Sequence, residues 1–501
     1  MKKYFLITVF IVIVCNIFGE NISISGGNEL KFIYRDVKDS LNQFMEDEFK
    51  FDLTYKNFRF GMKYIAELPK YDEFYPDTKL DSDKLISKWD ERYLEFETDN
   101  FYIRGGTFEA AFGSGIVLNA YNNTDFDEDN HLEGCKISIS FCGDDKTDEL
   151  SRKLYKLFSP IGEILSIPFI FNEITFSGIY GISNNDLVSG LDIEIQPTDF
   201  LKIGFSGLNE KFEDSDSYNT KNIFGERVEI SKNIFDAKIE YAENSKDFDG
   251  SALYGNFTTY FDKFTLTAVY KNYQNFVDRF SELPTVNYSE QPIAEYGNHQ
   301  DLGYEEEGIQ GIIHFNPSFE NEFIVNYAEG WSFDKTVTQS DFHAEWLHSF
   351  ENSSLTLQYS QLERFDDKTY YPVYYWSKEM KPAISYDFIA NEIPILLKAS
   401  FKTKLKNNYG EETTEYEPIL QTDFAFGDYS VSIIASHNFH DFDEISEITP
   451  KVGAELIASV WEHSSIKLFV GSEEGGQICR NGICQNQAAF DGVRLTVSTR
   501  F

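Results

Sequence analysis

The feature that most constrains this chain is a period-2 alternation of apolar and polar side chains in short stretches. In "SLTLQYS", residues 354–360, Leu355, Leu357 and Tyr359 fall on one face and the polar side chains fall on the other. The same alternation recurs at 190–196, 263–271 and 429–439. Strict alternation over four to eight residues is typical of a β-strand with one apolar face, so the chain is predicted to be all-β.

The lengths of the connections between these stretches restrict the fold further. Tight turns are predicted near 197–198, 232–233, 261–262, 316–318, 351–353, 390–391, 427–428 and 462–464. Longer, mostly acidic connections are predicted at about 209–221, 245–250, 274–307, 331–340, 364–380, 404–415, 440–450 and 473–490. Short and long connections alternate strictly, which favours a transmembrane antiparallel up-and-down β-barrel with short periplasmic turns and long outer loops.

The alternating stretches and their connections predict about 24 strands, within a range of 22–26, in a single barrel domain over residues 20–501. An even number is expected of a bacterial barrel, and closure is required because lipid offers no partner to an unpaired backbone group. One segment, "TDELSRKLYKLF" at 147–158, is amphipathic with a helical period. We expect this short helix to cap the barrel mouth or to constrict the lumen.

Residues 1–19 have the layout of a secretory signal peptide. Lys2 and Lys3 precede an apolar run at 4–14, and smaller residues follow, with cleavage expected after Gly19. A membrane anchor is the alternative, but the run is shorter than the roughly 20 residues that a spanning helix needs. The chain is therefore expected to be exported to the bacterial outer membrane.

The stretch "FDGVRLTVSTRF", residues 490–501, carries an apolar stripe that finishes on Phe501. It resembles the C-terminal strand of bacterial outer-membrane proteins, whose final aromatic residue is read by the barrel-assembly machinery. That resemblance implies an assembly signal that includes Arg494, Leu495 and Phe501. The alternative is the last strand of a soluble β-sandwich.

The charge of the chain excludes one class of partner. It carries 83 acidic and 44 basic residues, a formal net charge of −39 at pH 7. Nucleic-acid phosphates are bound by Lys and Arg, so no nucleic-acid partner is expected. An aromatic content of 16% also argues against a disordered acidic chain. The expected partners are outer-membrane lipid, lipopolysaccharide, the barrel-assembly machinery, and small solutes or ions.

The Asn-Gly pair at 481–482 is the preferred pair for a type I′ hairpin turn. With that turn, Cys479 lies opposite Cys484 at a Cα separation of about 4.5 Å, which suits a disulfide. A metal pair is the alternative, although further thiols or histidines are missing nearby. The hairpin is predicted to be closed by a Cys479–Cys484 bridge.

Cys135 and Cys142 bracket "KISISF", and a bridge between them is an open possibility. An oxidising compartment favours it. Seven residues along one strand put the two side chains on opposite faces, however, so a bridge requires a bend.

Asp125, Asp127 and Asp129 alternate as at the start of a calcium-binding loop. Asn130 and Lys136 then occupy the positions where the EF-hand pattern requires Gly and Glu. A solvated acidic loop is favoured over a dedicated metal site. No cofactor is predicted beyond weak binding of divalent cations by acidic loops.

Two motifs carry a resemblance to a known family. The first motif, within 101–121, comprises Gly106, Phe108, Glu109, Phe112, Gly113 and Gly115. The second comprises Cys479, Gly482, Cys484, Gly492, Arg494, Leu495, Arg500 and Phe501. Together they resemble a family of Gram-negative outer-membrane proteins known only as a domain of unknown function. Glu109 departs from that family, which usually has an aromatic residue there. The resemblance implies an outer-membrane barrel and supplies no activity.

The first motif is also similar to the glycine-aromatic strand entry of substrate-selective porins. Asp192, Glu194 and Glu240 occupy the polar faces of predicted strands and are expected to line the lumen. A passage lined by carboxylates prefers cations. The sequence therefore predicts a porin-like passive channel with a cation-preferring lumen.

The alternative is a non-conducting surface or assembly protein that binds a partner or a glycan through its long loops, above all through 274–307. Motifs of common hydrolases and nucleotide-binding enzymes are missing from the sequence, and its eight histidines are scattered. The protein is therefore not expected to be an enzyme.

Overall fold

The computed structural model describes residues 22–35, 43–69, 85–123, 128–142, 172–214, 217–245, 250–276, 279–281, 283–284, 286, 305–333, 335–366, 373–408, 410–441, 449–474, 476–480, 483–487 and 489–501. The predicted signal peptide at 1–19 and the predicted helix at 147–158 lie outside these residues. Among the residues described, no helix is long and apolar enough to cross a membrane.

The first strands are β1 (Ile22–Arg35), β2 (Gln43–Tyr55), β3 (Phe58–Leu68), β4 (Ile86–Thr98), β5 (Phe101–Phe108), β6 (Ala110–Phe112), β7 (Leu118–Ala120), β8 (Asn122–Asn123), β9 (Glu128–Asp129) and β10 (Leu132–Cys142). Next come β11 (Glu173–Ser183), β12 (Asp186–Thr198), β13 (Leu201–Asp214), β14 (Ser217–Lys232), β15 (Phe235–Asn244), β16 (Ser251–Tyr260), β17 (Phe264–Gln274), β18 (Glu305–Ser318), β19 (Asn321–Ser332) and β20 (Val337–Ser349). The last are β21 (Ser353–Asp366), β22 (Val373–Ala390), β23 (Ile393–Asn408), β24 (Glu411–Phe426), β25 (Tyr429–Ser436), β26 (Lys451–Trp461), β27 (Ser464–Glu473), β28 (Gly476–Arg480), β29 (Ile483–Gln487) and β30 (Phe490–Arg500).

One sheet of 24 strands forms the wall of a closed barrel. It consists of β1–β5, β10–β27 and β30, and each strand pairs antiparallel with its neighbour in chain order. The sheet closes where β1 pairs with β30, with Phe32 opposite Leu495. The predicted all-β antiparallel up-and-down barrel of about 24 strands is confirmed.

The barrel wall is apolar outside and polar inside, as the period-2 pattern predicts. On β15, Ile239 is 59% exposed whereas the adjacent Glu240 is 2% exposed. On β4, Leu94 is 57% exposed whereas Glu95 is 8% exposed. Water would favour the opposite arrangement, so an exterior of exposed aliphatic and aromatic side chains indicates a hydrocarbon environment.

Aromatic side chains are concentrated around the end of the barrel that carries the short turns. The rings of Phe58 and Phe96 lie 4.7 Å apart, and those of Phe261 and Phe264 lie 4.3 Å apart. Trp461 at the same end is 76% exposed. Such rings form the girdle at the membrane interface of outer-membrane barrels, because their apolar bodies and polarisable faces suit the headgroup region.

The predicted tight turns all fall at this one end of the barrel, in the connections 199–200, 233–234, 261–263, 319–320, 350–352, 391–392, 427–428 and 462–463. From residue 197 onward, where it was predicted, strict alternation of short and long connections was wrong at two places. Most of the expected long connections 209–221 and 404–415 belong to strands, and only 215–216 and 409–410 join them. Acidic residues can occupy a strand that is hydrogen-bonded on both sides. A high content of Asp and Glu was therefore not sufficient to predict a loop.

Phe501 takes part in the seam that closes the barrel. Its backbone N–H donates to the carbonyl of Gly26 at 3.1 Å, and the Gly26 N–H donates to the Phe501 carbonyl at 2.9 Å. The Phe501 ring covers Gly26, where a Cβ would lie 2.7 Å from the ring, and it stacks with Phe49 at 6.4 Å. Recognition of Phe501 by the assembly machinery stays a prediction.

The other two residues of the predicted assembly signal lie on opposite faces of β30. Arg494 is buried on the inner face, with its guanidinium carbon 4.6 Å from the centroid of the Phe490 ring. Leu495 lies on the outer face, opposite Leu468 of β27. The alternating stripe of the sequence is thus the lipid-facing side of the strand.

The hairpin predicted from the Asn-Gly pair is formed by β28 and β29, and Cys479 lies opposite Cys484 in its register. Their side chains lie outside the described residues, so the disulfide stays a prediction. The bridge between Cys135 and Cys142 was wrong, because Cys135 is a free, exposed thiol. Both lie on the uninterrupted strand β10, and a rise of about 3.4 Å per residue places them far beyond bonding distance.

Replacing Cys479 by serine should expose one additional thiol on the unreduced, denatured protein, because Cys484 would lose its partner. Counting thiols by the gel shift of a maleimide-polyethylene glycol adduct measures this. The control is Cys135→Ala, which should remove one reactive thiol with or without reductant. Full labelling of the unreduced parent protein would contradict the disulfide.

Candidate functional site: a hairpin folded into the lumen

The first sequence motif forms a hairpin inside the barrel. β6 and β7 pair with Phe112 opposite Leu118, and the N–H of Gly115 donates to the Phe112 carbonyl at 3.0 Å across the turn. Gly113 has φ +62° and Gly115 has φ +92°. Glycine adopts these left-handed conformations without the steric cost of a Cβ, which explains the two glycines of the motif.

Gly106 marks a close approach between strands just before the hairpin. Its φ is +109°, and a Cβ at this position would lie 2.0 Å from the carbonyl oxygen of Arg92 and 2.9 Å from the Tyr93 Cα. Both obstacles belong to the backbone of β4. Only glycine therefore fits where β5 packs against β4 and leads into the hairpin.

An apolar cluster holds the hairpin against the inner wall. The hairpin segment contributes the almost fully buried Phe108, Phe112, Ile116, Val117 and Leu118. The wall contributes Leu132, Ile179, Val188, Leu208, Ile223, Ala242, Ala252 and Tyr273 from β10–β17. Burial of each large apolar side chain stabilises by roughly 1.5–3 kcal/mol. This part of the lumen wall is apolar because the hairpin covers it.

Glycines in the wall allow the hairpin to come close. A Cβ at Gly190 would lie 2.9 Å from the Phe112 ring, and a Cβ at Gly225 would lie 2.4 Å from a methyl group of Val117. Both glycines lie on strands whose polar faces would otherwise project side chains into the lumen. The wall is thus shaped to receive the hairpin.

Glu240 fastens the tip of the hairpin to the wall. Its Oε2 accepts hydrogen bonds from the Ser114 N–H at 2.8 Å and from the Ser114 hydroxyl at 2.7 Å. A Cβ at Gly113 would lie 2.5 Å from this carboxylate. Lys238 lies 3.8 Å from Oε2. Glu240 therefore lies on the inner face of β15, where it binds the protein's own hairpin.

A second segment, from the connection between β17 and β18, folds in beside the hairpin. Phe276 and Phe280 are completely buried in the same apolar cluster. The Phe280 carbonyl accepts a hydrogen bond from the Asn119 N–H at 2.5 Å, and the Pro284 carbonyl accepts one from the Tyr273 hydroxyl at 3.0 Å. We call the described residues of 108–121 and 275–286 the lumen plug.

Asp192 and Glu194 also face the lumen, and both are paired with cations. Arg227 donates to Asp192 through Nη1 at 2.7 Å and to Glu194 through Nη2 at 3.2 Å. Lys202 lies 3.1 Å from Glu194. The three carboxylates predicted to line the lumen are therefore all engaged, and the structure does not bring Glu240 together with the other two.

Buried charge on the described strands is close to balanced. The buried acidic side chains are Asp90, Glu95, Glu210, Glu240, Glu306, Glu417, Glu455 and Glu473. The buried basic side chains are Arg35, Lys63, Lys221, Arg227, Lys271, Arg364 and Arg494. The large acidic excess of the chain is thus not concentrated among these buried groups.

The predicted calcium loop falls largely outside the described residues. Asp125 and Asp127 lie outside them, and only the backbone of Asp129 is described, in β9. Within the part of the chain that the structure describes, no group of three His, Cys, Asp or Glu side chains could hold a metal ion.

The closed wall, its lipid-facing exterior and its occupied lumen define an outer-membrane β-barrel. Residues 1–315 match the family of unknown function DUF6029, and the chain belongs to that family. This confirms the resemblance that the two motifs indicate, and the matched region includes the first motif. A search of curated proteins finds no match.

The chain is similar to solved structures at low sequence identity. An E. coli P pilus tip assembly intermediate, PapC-PapD-PapK-PapG, is similar with a TM-score of 0.55 and 9% identity. The match covers 96% of this chain and 60% of that chain. The P pilus usher PapC translocation pore has a TM-score of 0.48 at 9% identity, covering 96% and 99%. The siderophore receptor PirA of Pseudomonas aeruginosa has a TM-score of 0.46 at 8% identity, covering 95% and 80%.

Proposed function

We propose that this protein is a passive channel of the outer membrane for small solutes, narrowed by the lumen plug. The observation that carries the proposal is the position of the plug, whose apolar contacts are with β10–β17. Inner-face residues on the other strands include Asn326, His343 and Gln421, which are polar. A polar wall beside a fixed constriction is the arrangement of a diffusion pore.

The pairing of the predicted lumen carboxylates limits the charge selectivity of this channel. Asp192 and Glu194 share Arg227, and Glu240 is occupied by Ser114. Paired charges present little net field to a passing ion. We therefore propose a weak preference for cations, supplied by the acidic surface as a whole rather than by a ring of free carboxylates.

Conductance of the purified full-length protein in planar bilayers tests this proposal. We expect stable channel openings and, under a potassium chloride gradient, a small reversal potential of the sign that favours potassium. Absence of conductance, with the barrel folded as judged by its heat-dependent gel mobility, would contradict the channel. A strong preference for either ion would contradict the paired-carboxylate argument.

The alternative is a non-conducting surface or assembly protein whose loops bind a partner or a glycan. Part of the longest expected binding loop, 274–307, bears on this choice because Phe276 and Phe280 are buried in the lumen. Those side chains are not available to an external partner. This observation favours the channel, and a folded protein without conductance would favour the alternative.

A further inference from the structure

A cavity of about 520 Å³ lies below the lumen plug, toward the short-turn end of the barrel. Its walls belong to β14, β15 and β16, and Ser114 and Pro284 of the plug border it from above. Small-molecule sites commonly occupy about 300–1,000 Å³. We propose that this cavity binds an uncharged, hydroxyl-rich solute of about the size of a disaccharide. Its role in transport rests on the proposed channel.

The charged groups of the cavity are already engaged with one another. Lys238 lies 3.1 Å from Glu229 and 3.8 Å from Glu240. Asp236 accepts a hydrogen bond from the Tyr260 hydroxyl at 2.6 Å. An anionic ligand would meet three carboxylates against one lysine, and a cationic ligand would compete with Lys238 for its partners. Neither kind of ion gains a free counter-charge, so a neutral ligand is favoured.

The uncharged groups of the cavity suit hydroxyl recognition. The Thr258 hydroxyl donates to the Asn256 side-chain oxygen at 3.3 Å and lies 3.0 Å from the Thr267 hydroxyl. Hydroxyl and amide groups both donate and accept hydrogen bonds, as sugar hydroxyls do. Their polar atoms can therefore exchange these long internal contacts for contacts to a ligand.

Tyr254 supplies the apolar contact that a sugar ring also needs. It borders the cavity and packs against the apolar cluster that holds the hairpin. It also packs against a second buried cluster formed by Val269, Val286 and Ala328. Pro284 borders the same cavity from the plug. Rigid apolar surfaces beside hydroxyl and amide groups match a sugar, which presents C–H faces between its hydroxyls.

Binding of maltose and sucrose to the purified full-length protein in detergent tests the proposal, measured by saturation-transfer difference NMR. Spermidine and glucose 6-phosphate serve as charged probes. We expect saturable binding of at least one disaccharide, at least tenfold tighter than either charged probe. The double variant Asn256→Leu/Thr258→Val should weaken that binding at least tenfold. The matched control Thr175→Val, on a lumen-facing hydroxyl pair with Ser140 outside the cavity, should change it less than twofold.

The result that overturns the proposal is no saturable disaccharide binding, tighter binding of a charged probe, or equal loss in the control and the double variant. Heat-dependent gel mobility shows whether each variant retains its barrel. If the double variant does not fold, the single variants Asn256→Leu and Thr258→Val are tested in its place. Because conductance is measured separately, a conducting channel without sugar binding refutes this site alone, and sugar binding without conductance refutes the channel alone.

Discussion

Replacing Gly106 by valine is expected to destabilise the folded barrel by about 3 kcal/mol or more, since a strained left-handed residue alone costs about 1–3 kcal/mol. The added Cβ would lie 2.0 Å from the Arg92 carbonyl oxygen, and a backbone atom cannot rotate away as a side chain can. β4 and β5 would have to separate, which would break the wall next to the plug. Urea unfolding in lipid vesicles, followed by tryptophan fluorescence, measures the loss.

The adjacent Gly105 provides a matched control. A Cβ there would have no heavy atom within 4 Å, and the residue is exposed on the outer face. Gly105→Val should leave the urea midpoint unchanged or raise it slightly, because a β-branched residue suits a lipid-facing strand. Similar losses in the two variants would show that the close approach to β4 is not what requires glycine at Gly106.

Replacing Glu240 by alanine is expected to release the tip of the hairpin and enlarge the channel. Two hydrogen bonds from Ser114 to a carboxylate would be lost, each worth roughly 1.5–3 kcal/mol. A change of about 3 kcal/mol shifts a docked-to-undocked equilibrium by roughly 10²-fold. Single-channel recordings should then show larger openings or transitions between two levels.

Two comparisons make this test specific. Glu243→Ala, on the outward face of the same strand, should leave the recordings unchanged. Ser114→Ala, which removes the hydroxyl donor to Glu240 but keeps the N–H donor, should have a smaller effect than Glu240→Ala. Recordings of Glu240→Ala that match those of the parent protein would show that this contact does not hold the hairpin in place.

The candidate site was only partly visible in the sequence. The first motif was recognisable from its glycines and aromatic residues, but its fold into the lumen was not predicted. A signal was present in Gly190, Gly225, Ala242 and Ala252, small residues on the inner side of the wall. Small residues at inward-facing strand positions, where polar residues are expected, indicate that another segment of the chain covers that part of the wall.

The cations that neutralise the predicted lumen carboxylates were also missed. Arg227 is separated from Asp192 by 35 residues and reaches it across β13. A sequence pattern assigns a residue to a face of its strand, whereas the partner across two strands depends on the register of both. Charge counted along the chain therefore overstated the negative charge available in the lumen.

The sequence by itself determined that the chain is all-β and forms a barrel of about 24 strands with their apolar faces outward. It also determined that Cys479 lies opposite Cys484. These properties are local, because period-2 alternation and turn chemistry act within a few residues. Only the tertiary structure decided how the lumen is occupied. Ser114 and Glu240, which fix the plug, are 126 residues apart and meet only after the sheet has closed.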